Sequence, residues 1–536
     1  MNSITVLRPL HARRPLALAL APVLLLWAQA ASANQSLASP GYSMTVGPGF
    51  NRSNLGSSVF NPANAERLID QDSHVRFGLL DFGFQAEMGQ IDNLKQETDA
   101  LKAKIDAAQA ANSAASAQTT VNEINARFLP LLERGLHVNV QGYTSLLSPI
   151  IVRSKDWLPG VWTFNMSAQM QGGGALRTSD AAVLVKFASA DPSINHLQLN
   201  VPTNQLVAQL TNLQNANTPA AQSSALQAIQ GMLSPADQAT AQTLITKFNS
   251  ATPPTATTSY AVTTASGLDI KGAVVQQVSL GYAAKISQVI PAGYKDRIPT
   301  ELASQLDVGM RLSNYNAQLY RQLAAVVDAN GNATTFNGNG NDPALRSQAN
   351  AIGLDVGVAW HHENYQLGAT LYNLNNPSLR YPDLRSDPNP ANNLAAQTLA
   401  AMGKVKLDDS VSLKPHVVVE GAVRSSNQRW LLQGSMALNE TTDFVGEAHQ
   451  VVTLGASYNA ERYDVPYVGA LLSHIVPSLR VGYRQDLVGT KLTSYGLGMS
   501  WGIFNLDAHV SSATNSTDTG SVPRSAGVAI SIAQKF

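Results

Sequence analysis

Residues 527–536 read GVAISIAQKF. Val528, Ile530, Ile532 and Phe536 hold the even positions; Gly527, Ala529, Ser531, Ala533 and Lys535 hold the odd ones. Period-two alternation of this kind is the signature of a strand with one apolar face. Chain ends are usually loosely ordered, so an apolar β-patterned terminus points to a strand that something else requires. Two folds would use it: a sandwich whose last strand completes a sheet, or a membrane barrel whose last strand must pair with its first.

Working back from the terminus, the alternation repeats. SYGLGMSW (494–501) sets Tyr495, Leu497, Met499 and Trp501 against Gly496, Gly498 and Ser500. FNLDAHV (504–510) sets Phe504, Leu506, Ala508 and Val510 against Asn505, Asp507 and His509. SLRVGYR (478–484), YQLGATLY (365–372), IGLDVGVAW (352–360), LDVGMRL (306–312) and VSLGY (278–282) follow the same rule. Their polar faces carry Gly, Ser and single charges, and apolar faces end at Trp360, Tyr483 and Trp501. A sandwich facing water would carry more Lys, Glu and Thr. Aromatics at strand ends suit a membrane interface.

Composition agrees. Charged residues make up 13% of the chain, about half the ~25% of ordinary soluble domains. Only the N-terminal region carries a long apolar run. Arg8, Arg13 and Arg14 precede the apolar residues 15–28, and Ala31-Ser32-Ala33 follows as a small-residue cleavage site. This is the three-part pattern of a secretory signal peptide, too short for the ~20 residues of a spanning helix. The expectation is therefore a signal peptide over 1–33 and an outer-membrane location in a Gram-negative envelope. The chain has no cysteine, which removes disulfides, thiolate metal sites and thiol chemistry. Lys plus Arg equals Asp plus Glu at 36 each, so charge gives no reason to expect nucleic acid.

The fold expected is an all-β membrane protein: a transmembrane antiparallel β-barrel of about 14 strands. Strands are expected near 136–146, 160–171, 180–188, 272–286, 305–316, 351–361, 364–374, 411–423, 428–438, 449–459, 478–484, 493–501, 503–511 and 526–536, and 257–265 could supply another. Closure would leave no backbone edge in lipid, where unpaired groups cost several kcal/mol each. The domain reading is 34–84 as an N-terminal hatch segment, 85–134 as a helical insert, and 135–536 as the barrel with a second helical insert at 203–250. Within 85–128, Ile91, Leu94, Thr98, Leu101, Ile105, Ala108 and Asn112 step by alternating threes and fours. That is a heptad seam, serving either one helix packed on its own barrel or a coiled coil with a protein partner. Ser234-Pro235 marks a helix start in the second insert. Residues 250–258 read as a linker, and 328–350 and 511–525 as polar loops. Strand parity, counted back from a periplasmic C-terminus, places 85–128 in the periplasm.

Asn61-Pro62-Ala63, in VFNPANAERL (59–68), resembles the motif of FadL-like outer-membrane barrels, where the N-terminal segment folds into the lumen as a hatch. YQLGATLYNLNNPSLRYP (365–382), FVGEAHQVVTLGASY (444–458) and SLRVGYRQDL (478–487) look like the same superfamily. With the early helical insert, the chain most resembles the barrel-type conjugal transfer TraF family, which shares only a name with the thioredoxin-like TraF. Terminal Phe536 resembles the barrel-assembly signature, although Gln534 stands where that signature usually has an apolar residue. The resemblance implies a non-enzymatic outer-membrane barrel supporting conjugative transfer or envelope assembly. Its alternative is a FadL-like passive transporter of hydrophobic small molecules, marked by an apolar pocket beside Asn61, Pro62 and Ala63.

Motifs of chemistry are sparse. His361-His362-Glu363 sits at a strand turn, where neighbouring side chains face opposite ways, and lacks the spacing of a helical zinc motif. Asp408-Asp409 reads as a solvated turn. Asp507 and His509 share a face, but no GxSxG accompanies them; a hydrolase is a distant third reading. Arg480, Arg484, Asp507 and His509 are expected to form a charge network in the lumen. No cofactor and no metal is expected; outer-membrane lipid is.

Overall fold

In the computed structural model, the alternating segments pair into one antiparallel sheet that closes on itself. Residues 41–534 are described, except 48, 52–53, 70–73, 91, 93, 132–136, 155–157, 195–196, 202–206, 292–298, 327–341, 460–476, 502 and 518–519. The expected signal-peptide segment, Phe536, and most of the 328–350 stretch lie outside the described residues.

The barrel staves run in chain order. They are β1 (Val75–Met88), β2 (His137–Leu146) continued by β3 (Ile150–Ser154), β4 (Gly160–Arg177), β8 (Gly267–Lys285), β9 (Leu306–Ala325), β10 (Arg346–His362) and β11 (Tyr365–Tyr372). They continue with β14 (His416–Arg424), β15 (Trp430–Ala437), β18 (Val451–Tyr458), β19 (Ser478–Asp486), β20 (Thr493–Trp501), β21 (Phe504–Ser511) and β24 (Ser525–Gln534). β2 and β3 share one place between β1 and β4, giving fourteen staves among the described residues. β24 pairs with β1 from Phe77↔Gln534 to Glu87↔Ser525. The last strand is needed because its partner is the first.

Facing follows the alternation. Leu280, Met310, Leu312, Leu367, Leu432, Leu454, Val481, Leu497 and Ile530 are exposed outward, while Gln277, Ser279, Arg311, Ser313, Asp355, Glu420, Arg480 and Asp507 are buried inward. A chain that buries its charges and exposes its leucines is built for lipid outside. Around the end that carries Gln534, Trp162 packs on Tyr282 with ring centroids 5.1 Å apart, and Trp430 on Tyr458 at 4.9 Å. Trp360, Tyr365 and Trp501 end their strands at the same level. These form an interfacial girdle.

The strand count of about 14 holds, but its membership differs. β1 is absent from the expected set because a bulge between Gly78 and Leu80 shifts its register. Val75 faces out before the bulge and Leu80, Phe82 and Phe84 after it, so no single alternation spans the strand. β1 therefore occupies part of the stretch read as hatch (34–84) and the first residues of the 85–134 insert. Conversely, 180–188 is not a stave. As β5 (Ala182–Ser189) it lies between β6 (Gln198–Val201) and β7 (Ala256–Thr263) in a separate sheet. β7 takes up part of the expected linker.

This exchange reverses the placement of 85–128. β1 leads away from the end holding Gln534, so the helices after it stand at the end opposite the C-terminus. There α4 (Leu94–Ala111) and α5 (Ala114–Glu123) join α6 (Val207–Gln214), α7 (Pro219–Gln230), α8 (Pro235–Phe248) and the small sheet around one core. Ser234 caps α8, its Oγ accepting from Asp237 N at 3.2 Å. The heptad seam serves this domain: Leu101, Ile105 and Ala108 pack on its core. It stops at Asn112, which bends back at φ 43° and accepts Tyr260 N at 3.0 Å through Oδ1. Long connections gather at this end, including the hairpins β12 (Ser378–Arg380)–β13 (Ser410–Ser412), β16 (Thr441–Thr442)–β17 (Ala448–His449) and β22 (Thr514–Thr517)–β23 (Gly520–Pro523).

Candidate functional site in the barrel lumen

The inner wall meets residues 41–69, which form α1 (Gly41–Val46), α2 (Ser57–Phe60), a 3₁₀ turn at Pro62–Asn64 and α3 (Ala65–Leu68). Asn61 caps the 3₁₀ turn, its Oδ1 accepting from Ala63 N at 3.0 Å. Its Nδ2 donates to Val358 O at 3.1 Å and Glu420 Oε1 at 2.9 Å. Asn64 donates to the same Glu420 oxygen at 3.0 Å. Pro62 fits the first turn because its missing N–H would have no helical partner there. The wall makes room with glycine: a Cβ on Gly309 would stand 2.4 Å from Ala63 N, and one on Gly357 2.1 Å from Asn61 Oδ1.

Ion pairs surround this contact. Arg311 holds Asp355 at 2.7 Å and donates to Val59 O; Arg67 holds Asp307 at 2.6 Å; Arg153 holds Glu66 at 3.0 Å. Tyr372 OH donates to Phe60 O. Farther along, Thr45 Oγ1 donates to Asp507 at 2.6 Å, and Arg480 grips Asp507 at 2.8 Å with both side chains 1% exposed. A Cβ on Gly482 would strike Thr45 O, 1.6 Å away.

Of the four expected network residues, the structure brings Arg480 and Asp507 together. His509 contacts Ser525 Oγ at 3.4 Å through Nε2. Arg484 lines a cavity of about 80 Å³ beside α1, with Met44, Gln85, Tyr143, Asp443 and His449. That cavity adjoins α1, whereas Asn61, Pro62 and Ala63 are clamped between strands. His361 turns inward, 3.3 Å from Asp307, and His362 stacks outward on Trp360. Asp409 is no solvated turn: it pairs with Lys271 at 2.7 Å. Asp408 pairs at the surface with Arg380.

A polar cluster closes the cavity toward the end opposite Gln534. His449 Nδ1 lies 2.7 Å from Asp486 and Nε2 3.3 Å from Asp443. Burial opposes a charge on this imidazole, but the two carboxylates outweigh it and hold its pKa well above the ordinary value. Asn139 and Gln171 donate to Asp443 from β2 and β4. Along the chain, Asp443, Glu447 and His449 stand four and two apart, a spacing that marks this cluster and has no counterpart among the residues singled out from the sequence.

The family model described as F plasmid transfer operon, TraF, protein matches residues 58–436. The chain belongs to this TraF family. Comparison with curated proteins gives no match. Among solved structures it is similar to a deletion mutant of the monoaromatic hydrocarbon channel TodX (TM-score 0.40, 10% identity, 94% of this chain and 100% of that one). It is also similar to a Pseudomonas aeruginosa FadL homologue (0.34, 10%, 94% and 97%) and to the Ralstonia pickettii toluene transporter TbuX (0.34, 10%, 94% and 99%). At such scores these neighbours add nothing to what the strand pairing of this TraF-family barrel already shows.

Proposed function

We propose that this TraF-family chain is a non-enzymatic outer-membrane barrel, closed by its own N-terminal segment, that presents a folded domain to macromolecules at the cell surface. The observation that carries this reading is the domain built from the β1–β2 and β4–β8 connections. It has its own core, with Val183, Val185, Phe187, Leu210, Leu226, Leu244 and Phe248 buried together. Passage of a small molecule needs no such module. Outer-membrane barrels keep short turns in the periplasm and long loops outside, and the two-residue turn after His362 lies at the end with Gln534. The domain then faces outward, and the family name suggests plasmid transfer as the process served. Asp507 is held by Arg480 and Thr45 and makes no Asp–His pair, which supports a role without catalysis.

The test is plasmid transfer from a donor lacking the gene, complemented with the full chain or with residues 182–263 replaced by a Gly–Ser linker. Heat-modifiable migration would report barrel assembly. Lost transfer with an intact barrel supports the reading, and unchanged transfer removes conjugation from it. The cavity beside α1, with Met44 and Tyr143 in its wall, favours a second reading: a FadL-like passive transporter of hydrophobic small molecules. Mass spectrometry of compounds extracted from the detergent-purified barrel decides it. A stoichiometric apolar compound supports transport, and a clean protein counts against it.

A further inference from the structure

The β16–β17 hairpin folds into the mouth of the lumen and carries a compact donor set. Asp443, Glu447 and His449 each place one ligand atom within 4.8 Å of the others. Asp443 is 3% exposed and His449 8%. His449 Nδ1 is engaged by Asp486 at 2.7 Å, which aims Nε2 at Asp443. An imidazole oriented by a carboxylate on one nitrogen, with the other turned to a ligand cluster, is the arrangement seen behind metal-bound histidines. The 3.3 Å between Nε2 and the Asp443 oxygen is about the edge of a tetrahedron with ~2.0–2.1 Å bonds.

Two further atoms point the same way. Thr441, 2% exposed, pairs in register with His449, so both side chains share one face of the hairpin. Its hydroxyl has no hydrogen-bond partner. His137 Nε2, from β2, lies 2.8 Å from Glu447 Oε1, yet this buried nitrogen also has no hydrogen-bond partner. The close approach is there without the alignment a hydrogen bond needs. Meanwhile one oxygen of Asp443 receives Asn139 at 2.9 Å, His449 at 3.3 Å and Gln171 as well. Three N–H groups crowd an atom with two lone pairs, and Asn139 Nδ2 bridges from there to Glu447 at 2.8 Å.

We propose that Asp443, Glu447 and His449, with His137 beside them, bind one divalent transition-metal cation of the zinc type. Imidazole and carboxylate donors in a tight set suit zinc, cobalt or nickel; calcium and magnesium prefer oxygen cages. The cation takes the place of an amide donor on Asp443, and Asp486 serves as the carboxylate behind His449. It pins the hairpin to β2 and β19 and thereby fixes one wall of the cavity.

The experiment uses the full chain in detergent, stripped with chelator and titrated with Co²⁺. The expected result is one Co²⁺ per chain, with the visible bands of tetrahedral cobalt, displaced by Zn²⁺. Asp486→Asn should weaken binding by about 10–100-fold. His449→Gln and Glu447→Gln should weaken it more, and His362→Gln, at the other end of the barrel, not at all. Glu447 is partly exposed at 16%, so its variant keeps the test valid if His449→Gln fails to assemble. Absence of saturable Co²⁺ uptake, or equal uptake by Glu447→Gln, would overturn the site and leave a hydrogen-bonded latch.

Discussion

At the scale of single residues, the lumen is a place where charge is tolerated only in pairs. Arg480 and Asp507 are both 1% exposed and bonded at 2.8 Å. Removing one partner strands the other, a loss of about 3–5 kcal/mol for buried pairs. Arg480→Met should therefore lower the denaturant midpoint in lipid vesicles sharply, and adding Asp507→Leu should recover much of it. Equal stability of Arg480→Met and the parent would show that the pair holds nothing. Gly357 poses the opposite constraint, space. A Cβ there would sit 2.1 Å from Asn61 Oδ1, so Gly357→Val must displace the Asn-Pro-Ala turn, with overpacking of about 1–3 kcal/mol. The expected outcome is a rise in planar-bilayer conductance over the parent; an unchanged trace would mean that the turn does not close the lumen.

At the scale of elements, the loops at the end opposite Gln534 are docked by specific contacts. The segment before β13 is tied to β8 by Asp409 and Lys271, 2.7 Å apart. Burial raises the Asp409 carboxyl, but Lys271 outweighs it, and the pKa ends below the ordinary value. A depressed carboxyl stabilises above its unfolded pKa of ~3.9 and loses that contribution as pH falls through the lower folded value. Protection against hydrogen exchange at 405–413, taken relative to the intrinsic rate at each pH, should therefore fall in acid, below about pH 4, while in Lys271→Met it should already be low at neutral pH. Protection independent of both pH and Lys271 would show that the apolar contacts of Val411 and Leu413 suffice.

At the scale of the whole molecule, the proposed orientation is open to direct test. A tag inserted after Asn217, between α6 and α7, should be labelled on intact cells. A tag after Asn427, in the turn between β14 and β15, should be labelled only after permeabilisation. The reverse pattern would put the α+β domain in the periplasm and remove the surface-contact reading. The lumen is filled from both ends. Phe50, Leu55, Leu68 and Ile69 pack against the inner wall. Tyr381, Leu379 and Phe444 do so from the loops at the end opposite Gln534.

The sequence by itself determined that the chain is a lipid-facing barrel of about fourteen strands, because facing is a local property. Leu306–Leu312 or Ser494–Trp501 each show by period two which side meets lipid, whatever they pair with. Inward charges such as Arg480 and Asp507 were legible for the same reason. Long-range pairing was not. Only the closed sheet shows that β1, masked by its bulge, is a stave, and that 180–188, which alternates equally well, belongs to a separate domain. The bulge breaks the local pattern of the first and leaves that of the second intact, so only the partner in reach shows which is a stave. Exchanging one for the other kept the count and reversed the side of the helical insert. The cluster of His137, Asp443, Glu447, His449 and Asp486 likewise needs three elements brought together by tertiary folding: Asp443, Glu447 and His449 stand close along the chain, but His137 and Asp486 join them only through the fold.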